Sequence, residues 1–295
     1  MTRRTILSIA FVLLAAMPSC RRDNSPISEP QKERKPAIVS LTPNLTEMLS
    51  AIGAEEYLVG RSQFCDYPKS VKHLPPIPGG VHPDLESILV LDPTLVVLHE
   101  GLLETTPKEL FEEAGVQVFS ARVETAQDVA DTLDKLTVAI FGSTNEGDFA
   151  HEFRRKLDTW APKRVHRRVL MIHGHRPLIA AGPGSWGDEL IRFCGLDNAL
   201  QSSQQVYPVL DAEQLVSLAP DFVVDTTFAE GTETLDTFWQ PMVQAGAVGK
   251  VLYLNDQSLL RPGPRLFDAV DILLANFHQL DPEIPANADF GDGNP

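Results

Sequence analysis

The chain reads as an α/β protein built from two similar lobes, and three observations carry that reading. Two stretches repeat one another 127 positions apart, DLESILVLDPTLVVL over residues 84–98 and DAEQLVSLAPDFVVD over residues 211–225. Aligned without a gap, they match Asp84 with Asp211, Glu86 with Glu213, Leu91 with Leu218, Pro93 with Pro220, and Val96-Val97 with Val223-Val224. Each copy reads as a short helix with an acid in its first turn, a proline stop, and an apolar run suited to a buried strand. Short strand-like runs alternate with helical patterns on both sides of the middle of the chain, and 295 residues at 43% apolar content suffice for two cores. Two lobes leave a cleft between them, where ligands commonly sit.

The first lobe is expected over residues 37–122. A strand at 38–41 runs through Thr42-Pro43-Asn44 into a helix at 46–52, capped by Asn44 or Thr46, with Glu47 in its first turn and Gly53 at its end. A second strand begins at 58–60, and Phe64-Cys65-Asp66-Tyr67-Pro68 forms the loop after it. Residues 73–83, rich in proline and glycine, read as loop; the first repeat, a helix at 107–114 and a strand at 116–119 follow.

Residues 123–163 change character. Val129, Leu133, Leu136 and Ile140 fall at helical spacing, 142–147 break the pattern, and Phe149, Phe153, Leu157 and Trp160 restart it. A helix over about 146–160 would be roughly 22 Å long, enough to serve as a strut between lobes. The second lobe, 164–280, opens with a strand at 168–172 and the loop His173-Gly174-His175-Arg176-Pro177. Ser185 and Asp188 have capping-box spacing ahead of a helix at 189–194. The second repeat, a helix at 234–245, a strand at 251–254 and a final helix at 265–277 complete it. Residues 281–295, with their prolines, acids and glycines, read as a disordered tail.

At the N-terminus, Arg3 and Arg4 precede an apolar run at 6–16 that is too short to span a bilayer and has the layout of a secretory signal over residues 1–20. Cys20 resembles the lipidated cysteine of a bacterial lipoprotein, although Met17 and Pro18 depart from the usual motif. The opening TRRTIL reads as a plain charged leader more readily than as a twin-arginine signal. Residues 21–36 form a polar, proline-punctuated tether. The implied location is the periplasm or cell envelope, with membrane contact only through the lipid. The formal charge is −15, and −17 once residues 1–19 are removed, which argues against nucleic-acid partners and against binding an anionic membrane surface. Cys65 and Cys194 fall one per lobe; a bridge between them is chemically allowed in an exported protein but would lock the cleft. Cys194, inside LIRFCG, reads as a small buried apolar residue; Cys65 lies in a loop.

The stretch IVSLTPNLTEMLSAIGAEEYLVGRSQFCDYP, the two repeats, and RPGPR before the final helix together resemble the periplasmic cobalamin-binding proteins within the iron-chelate and cobalamin receptors of ABC importers. The resemblance covers about residues 37–280. It implies two Rossmann-like lobes joined by a single long helix, modest hinge motion, and a ligand held between the lobes. It also implies that Glu86 and Glu213 dock onto arginine pockets of a permease dimer that works with an ATPase. The alternative reading of each glutamate is that it complements its own helix dipole.

The same alignment places Phe64 at a tyrosine position, Gly80 and His99 at two tryptophan positions, Tyr207 at a further tryptophan position, and Arg261 at an arginine. Part of an aromatic cage is thereby kept and part lost. The implied ligand is cobalamin, with haem or a ferric siderophore as alternatives; no cofactor intrinsic to the chain is expected. His99, His173 and His175 lie near strand ends, where an imidazole can coordinate a metal, and His82 lies in the proline-glycine loop. His99 is the candidate ligand; a histidine hydrogen-bonded to backbone is the plainer reading of each. The HGH triplet lacks structural-zinc spacing. An exported α/β enzyme is the rival class, but the chain has no GxSxG, P-loop or HExxH, and 182–187 is too encumbered by Pro183 and Trp186 for a phosphate cradle. A tethered adhesion module has no support in the tether or tail.

Overall fold

The computed structural model describes residues 35–145, 148–227 and 232–287. The expected signal at 1–20, with Cys20, and nearly all of the tether lie outside them. The first lobe runs β1 (Ile38–Ser40), α1 (Pro43–Ala51), β2 (Leu58–Ser62), β3 (Pro76–Ile77), α2 (Leu85–Leu89), β4 (Leu95–His99), α3 (Lys108–Glu113) and β5 (Gln117–Ala121). Its strands form a parallel sheet in the order β3-β2-β1-β4-β5. Two helices follow, α4 (Ala126–Phe141) and α5 (Phe149–Thr159). The second lobe runs β6 (Arg168–His175), β7 (Leu178–Ala180), α6 (Trp186–Phe193), β8 (Asp197–Asn198), α7 (Ala212–Leu218), β9 (Phe222–Asp225), α8 (Thr232–Gln244), β10 (Lys250–Tyr253) and α9 (Leu266–Leu280). Its sheet has the order β10-β9-β6-β7, parallel except for β7, with β8 also paired to β6.

The repeat is kept in three dimensions. Both α2 and α7 start after an aspartate N-cap, Asp84 and Asp211, and β4 and β9 each pair directly with the first strand of their lobe. Among the described residues, two non-glycines have positive φ, Asp92 at 49° and Ala219 at 40°, and they are equivalent positions of the repeat. Each precedes a proline, which disfavours the right-handed helical region for the residue before it, so the helix exits through the left-handed one.

Strand alternation sorts side chains into three cores. Val39, Leu41, Val96 and Leu98 join Ile88 and Phe111 on one face of the first sheet. Leu170, Ile172 and Val223 join Leu215 and Trp239 on one face of the second. The opposite faces, through Ile38 and Val97 in one lobe and Val169, Met171 and Val224 in the other, belong to a single cluster with α1, α4, α5, α6 and α9. The two lobes therefore share one continuous apolar interior.

Several expectations are revised. The helix expected over about 146–160 spans Phe149–Thr159, roughly 16 Å, while α4, capped by the Thr125–Asp128 box and closed by Gly142 at φ 83°, is the longer at roughly 24 Å. The two lie side by side, tied by Arg154 to Asp131 at 2.7 Å and Asp134 at 2.6 Å. α1 begins at Pro43, which fits N1 because it has no N–H to leave unbonded, with Thr42 rather than Asn44 or Thr46 as N-cap. His173, Gly174 and His175 belong to β6, hairpinned to β7, and not to a loop. The tail is held as far as Ile284, which is fully buried, while Arg167 pairs with Asp281 at 2.7 Å and Glu283 at 2.6 Å. Cys65 and Cys194 are both buried free thiols, and burial pushes both pKa values up.

Candidate functional site

In a parallel sheet, the loops at the carboxyl ends of the strands are free to carry ligand-binding groups. In the first lobe this edge holds Phe64, after β2; Gly80, after β3; and His99, the last residue of β4. In the second it holds the end of β6, the end of β9, and the segment after β10 that carries Arg261.

Phe64 is 54% exposed. Gly80, at φ 58°, lies directly against it: a Cβ there would meet Phe64 Cε2 at 3.3 Å. Glycine thus serves both the turn and the close approach of loop to ring. Tyr207 is 53% exposed on the other lobe, its ring edge-on to His173 with centroids 6.1 Å apart. Burial raises the Tyr207 phenol pKa, helped by Glu124 and opposed by a hydrogen bond from the Trp186 backbone at the start of α6. The structure brings Phe64 together with Gly80, and Tyr207 together with His173.

The histidines differ in what they leave free. His99 Nδ1 accepts from Gly101 N at 3.0 Å, capping the turn that follows β4. That bond uses the Nδ1 lone pair and places the proton on Nε2. His173 has the opposite tautomer. Thr226 Oγ1 donates its only proton to the Ile172 carbonyl at 2.8 Å, so its 3.1 Å contact with His173 Nδ1 has the ring N–H as donor. The lone pair of His173 is then on Nε2, and burial lowers its pKa to about 4, keeping the ring neutral. His175 is a structural residue: its Nε2 lies 2.6 Å from Asp225 Oδ2, which also accepts from Trp239 Nε1 at 2.5 Å. Thr227 occupies Asp225 Oδ1 through its hydroxyl and backbone N–H at 2.7 and 3.0 Å. His82 is exposed on its loop.

Arg261 is where the two edges meet. Its Nη1 donates to Asp66 Oδ1 at 2.6 Å, on the loop after β2, and to Glu47 Oε1 at 3.4 Å, on α1. Arg265, four residues on, grips Glu47 with two bonds of 2.7 and 2.8 Å, and its guanidinium stacks 4.0 Å over the Tyr67 ring. Asn44 Nδ2 adds a 3.1 Å bond to the Pro262 carbonyl. The Glu47 side chain is 1% exposed, so this fork-on-fork pair supplies the partner a buried carboxylate requires. Asp66, Glu47, Tyr67 and Arg265 were not among the expected site residues. Their one signal in the sequence is membership of the CDYP, TEM and RPGPR runs, because partners this far apart have no visible spacing.

Glu86 and Glu213 are exposed in the first turns of α2 and α7, at the same step of the repeat. Among the described residues, no three metal-ligating side chains cluster.

The chain belongs to the periplasmic binding protein family, whose model matches residues 38–254. A vitamin B12-binding protein of Vibrio cholerae is 26% identical over 239 residues, spanning 79% of this chain and 86% of that protein. The crystal structure of the periplasmic vitamin B12-binding protein BtuF of Vibrio cholerae matches with a TM-score of 0.63 at 25% identity, over 83% of this chain and 96% of that one. The periplasmic heme-binding protein HutB of Vibrio cholerae shares the fold with a TM-score of 0.72 at 18% identity, over 83% and 100% of the two chains. The chain is a binding protein and not an enzyme, and the two-lobed α/β architecture is that of this family.

Proposed function

We propose that this chain is the substrate-binding component of an ABC importer that captures cobalamin between its lobes and presents it to a permease dimer with its ATPase. The observation that carries the role is the pair of exposed glutamates, Glu86 and Glu213, on repeat-equivalent helices of the two lobes. The ligand rests on the relatives named for vitamin B12 and on two half-exposed rings, Phe64 and Tyr207, on the loops of opposite lobes. Aromatic faces suit the large apolar surface of a corrin. Export through residues 1–20 and anchoring at Cys20 form part of the same reading and rest on the sequence.

Haem is the second reading, favoured by the Nε2 lone pair of a neutral His173, which gives it a better-prepared ligand than His99. Titration of the purified chain with cyanocobalamin, followed by absorption and calorimetry, with haemin in parallel, separates the two. Saturable cyanocobalamin binding below about 1 µM, near −8 kcal/mol, is the expected result. Silence with cyanocobalamin together with a Soret shift on adding haemin would move the ligand to haem.

A further inference from the structure

An arginine that joins the carboxyl edges of two sheets invites an anion, but the surroundings of Arg261, whose side chain is 18% exposed, argue otherwise. The charged network around it contains three carboxylates, Glu47, Asp66 and Asp256, against two guanidinium groups, Arg261 and Arg265, with Asp256 3.5 Å from Arg265. The network carries one negative charge in excess, and Lys72 acts on Asp66 from farther off. Glu47 is buried and fully engaged by Arg265; Asp66 is 46% exposed and holds Arg261 at 2.6 Å. Burial tends to raise the Asp66 pKa, but the bond to Arg261 and its charge prevail and hold the carboxyl below its ordinary value. At neutral pH the open side of the network is therefore a carboxylate next to a guanidinium. Among the described residues, Arg261 donates only through Nη1, leaving Nε–H and Nη2–H groups beside a half-exposed acceptor.

We infer that Asp66 and Arg261 form a subsite for a primary carboxamide on the ligand's periphery, and that Asp66 selects against carboxylates. This rests on the cobalamin reading above. A carboxamide offers two N–H donors and one carbonyl acceptor on the same planar group, the complement of a carboxylate beside a guanidinium. Cobalamin is ringed by such amides. A haem propionate or a carboxylate siderophore that took the open Nε–H and Nη2–H groups of Arg261 would bring a second anion against Asp66, with no N–H of its own to offer that carboxylate. Asp66 is thus a specificity-determining residue, and the buried Glu47–Arg265 pair is held by bonds that do not involve it.

The test is calorimetry on the full chain and its Asp66→Asn variant at neutral pH. Each is titrated with cyanocobalamin and with the three monocarboxylic acids obtained by hydrolysing one peripheral propionamide. The original chain is expected to bind at least one acid about tenfold more weakly than the amide, the scale of losing one charge-assisted hydrogen bond and placing two like charges side by side. In the variant, that acid binds more tightly and the gap closes to within about threefold. Equal binding of amide and acids by the original chain, or an unchanged ratio in the variant, would overturn the subsite while leaving cobalamin as ligand. Absence of cyanocobalamin binding by the original chain would overturn the ligand reading and the subsite with it.

Discussion

His173 is the residue whose surroundings most change what it can do. Its folded-state pKa of about 4 lies below the ordinary 6.5, so between those values the unfolded chain takes up a proton that the folded chain refuses. Stability is accordingly full above about pH 6.5 and falls as pH drops toward 4, by at most about 3 kcal/mol. His173→Gln should flatten this acid limb. Thermal melting at neutral pH and at about pH 4.5 reads it out, and parallel losses in the two proteins would refute the assignment. At the same scale, the site is only partly legible in the sequence. Arg261 stands out as a cleft residue through its motif, and Glu47 reads as an acid in a helix's first turn, although α1, starting at Pro43, puts it in the second. Nothing in their spacing, 214 residues apart, indicates that one guanidinium joins α1 to the loop after β2. Burial, which makes that pairing obligatory for Glu47, is a property of the folded chain alone.

The repeated helix-stop-strand unit is the element most fully written into the sequence, and the structure adds the backbone conformation at its corner. Ala219 sits at φ 40°, a region disfavoured for a residue with a Cβ. Ala219→Gly should raise stability by up to about 1 kcal/mol, because strain relief exceeds the added freedom of the unfolded chain. Denaturant melts check the sign, and a loss of stability would show that the alanine is not strained. Elements with weak periodicity are the ones the sequence hides. β7 and β8 are three and two residues long. β6 runs on through His173, Gly174 and His175, which read as loop because two polar rings flank a glycine; its hairpin with β7 and the Asp225 network override that propensity. Residues 281–287 lack an apolar period, yet one buried isoleucine and an arginine with two acidic partners hold them.

For the molecule as a whole, the importer role requires that docking and ligand capture be separable. Replacing Glu86 and Glu213 together by alanine should leave cyanocobalamin affinity within about twofold and abolish uptake in cells that depend on this chain, since exposed charges set partner choice more than fold stability. Loss of ligand binding in that variant, or undiminished uptake, would refute the docking assignment. Large hinge opening is disfavoured by the same architecture that joins the lobes: the inner faces of both sheets pack into one apolar interior with α4 and α5, and Arg261 and Arg265 tie the segment before α9 to α1 and the loop after β2. Modest motion is what a shared interior permits, because packed side chains resist being drawn apart. The same interior sets a limit on divisibility. A chain with so plain an internal repeat looks as if it could be cut at its middle into two self-sufficient proteins. Either half alone would keep its own helices over its sheet but would bare to water the apolar side chains through which α4 now meets α5 and the rest of the shared cluster. The duplication survives in the pattern of the chain, but the autonomy of its parts does not.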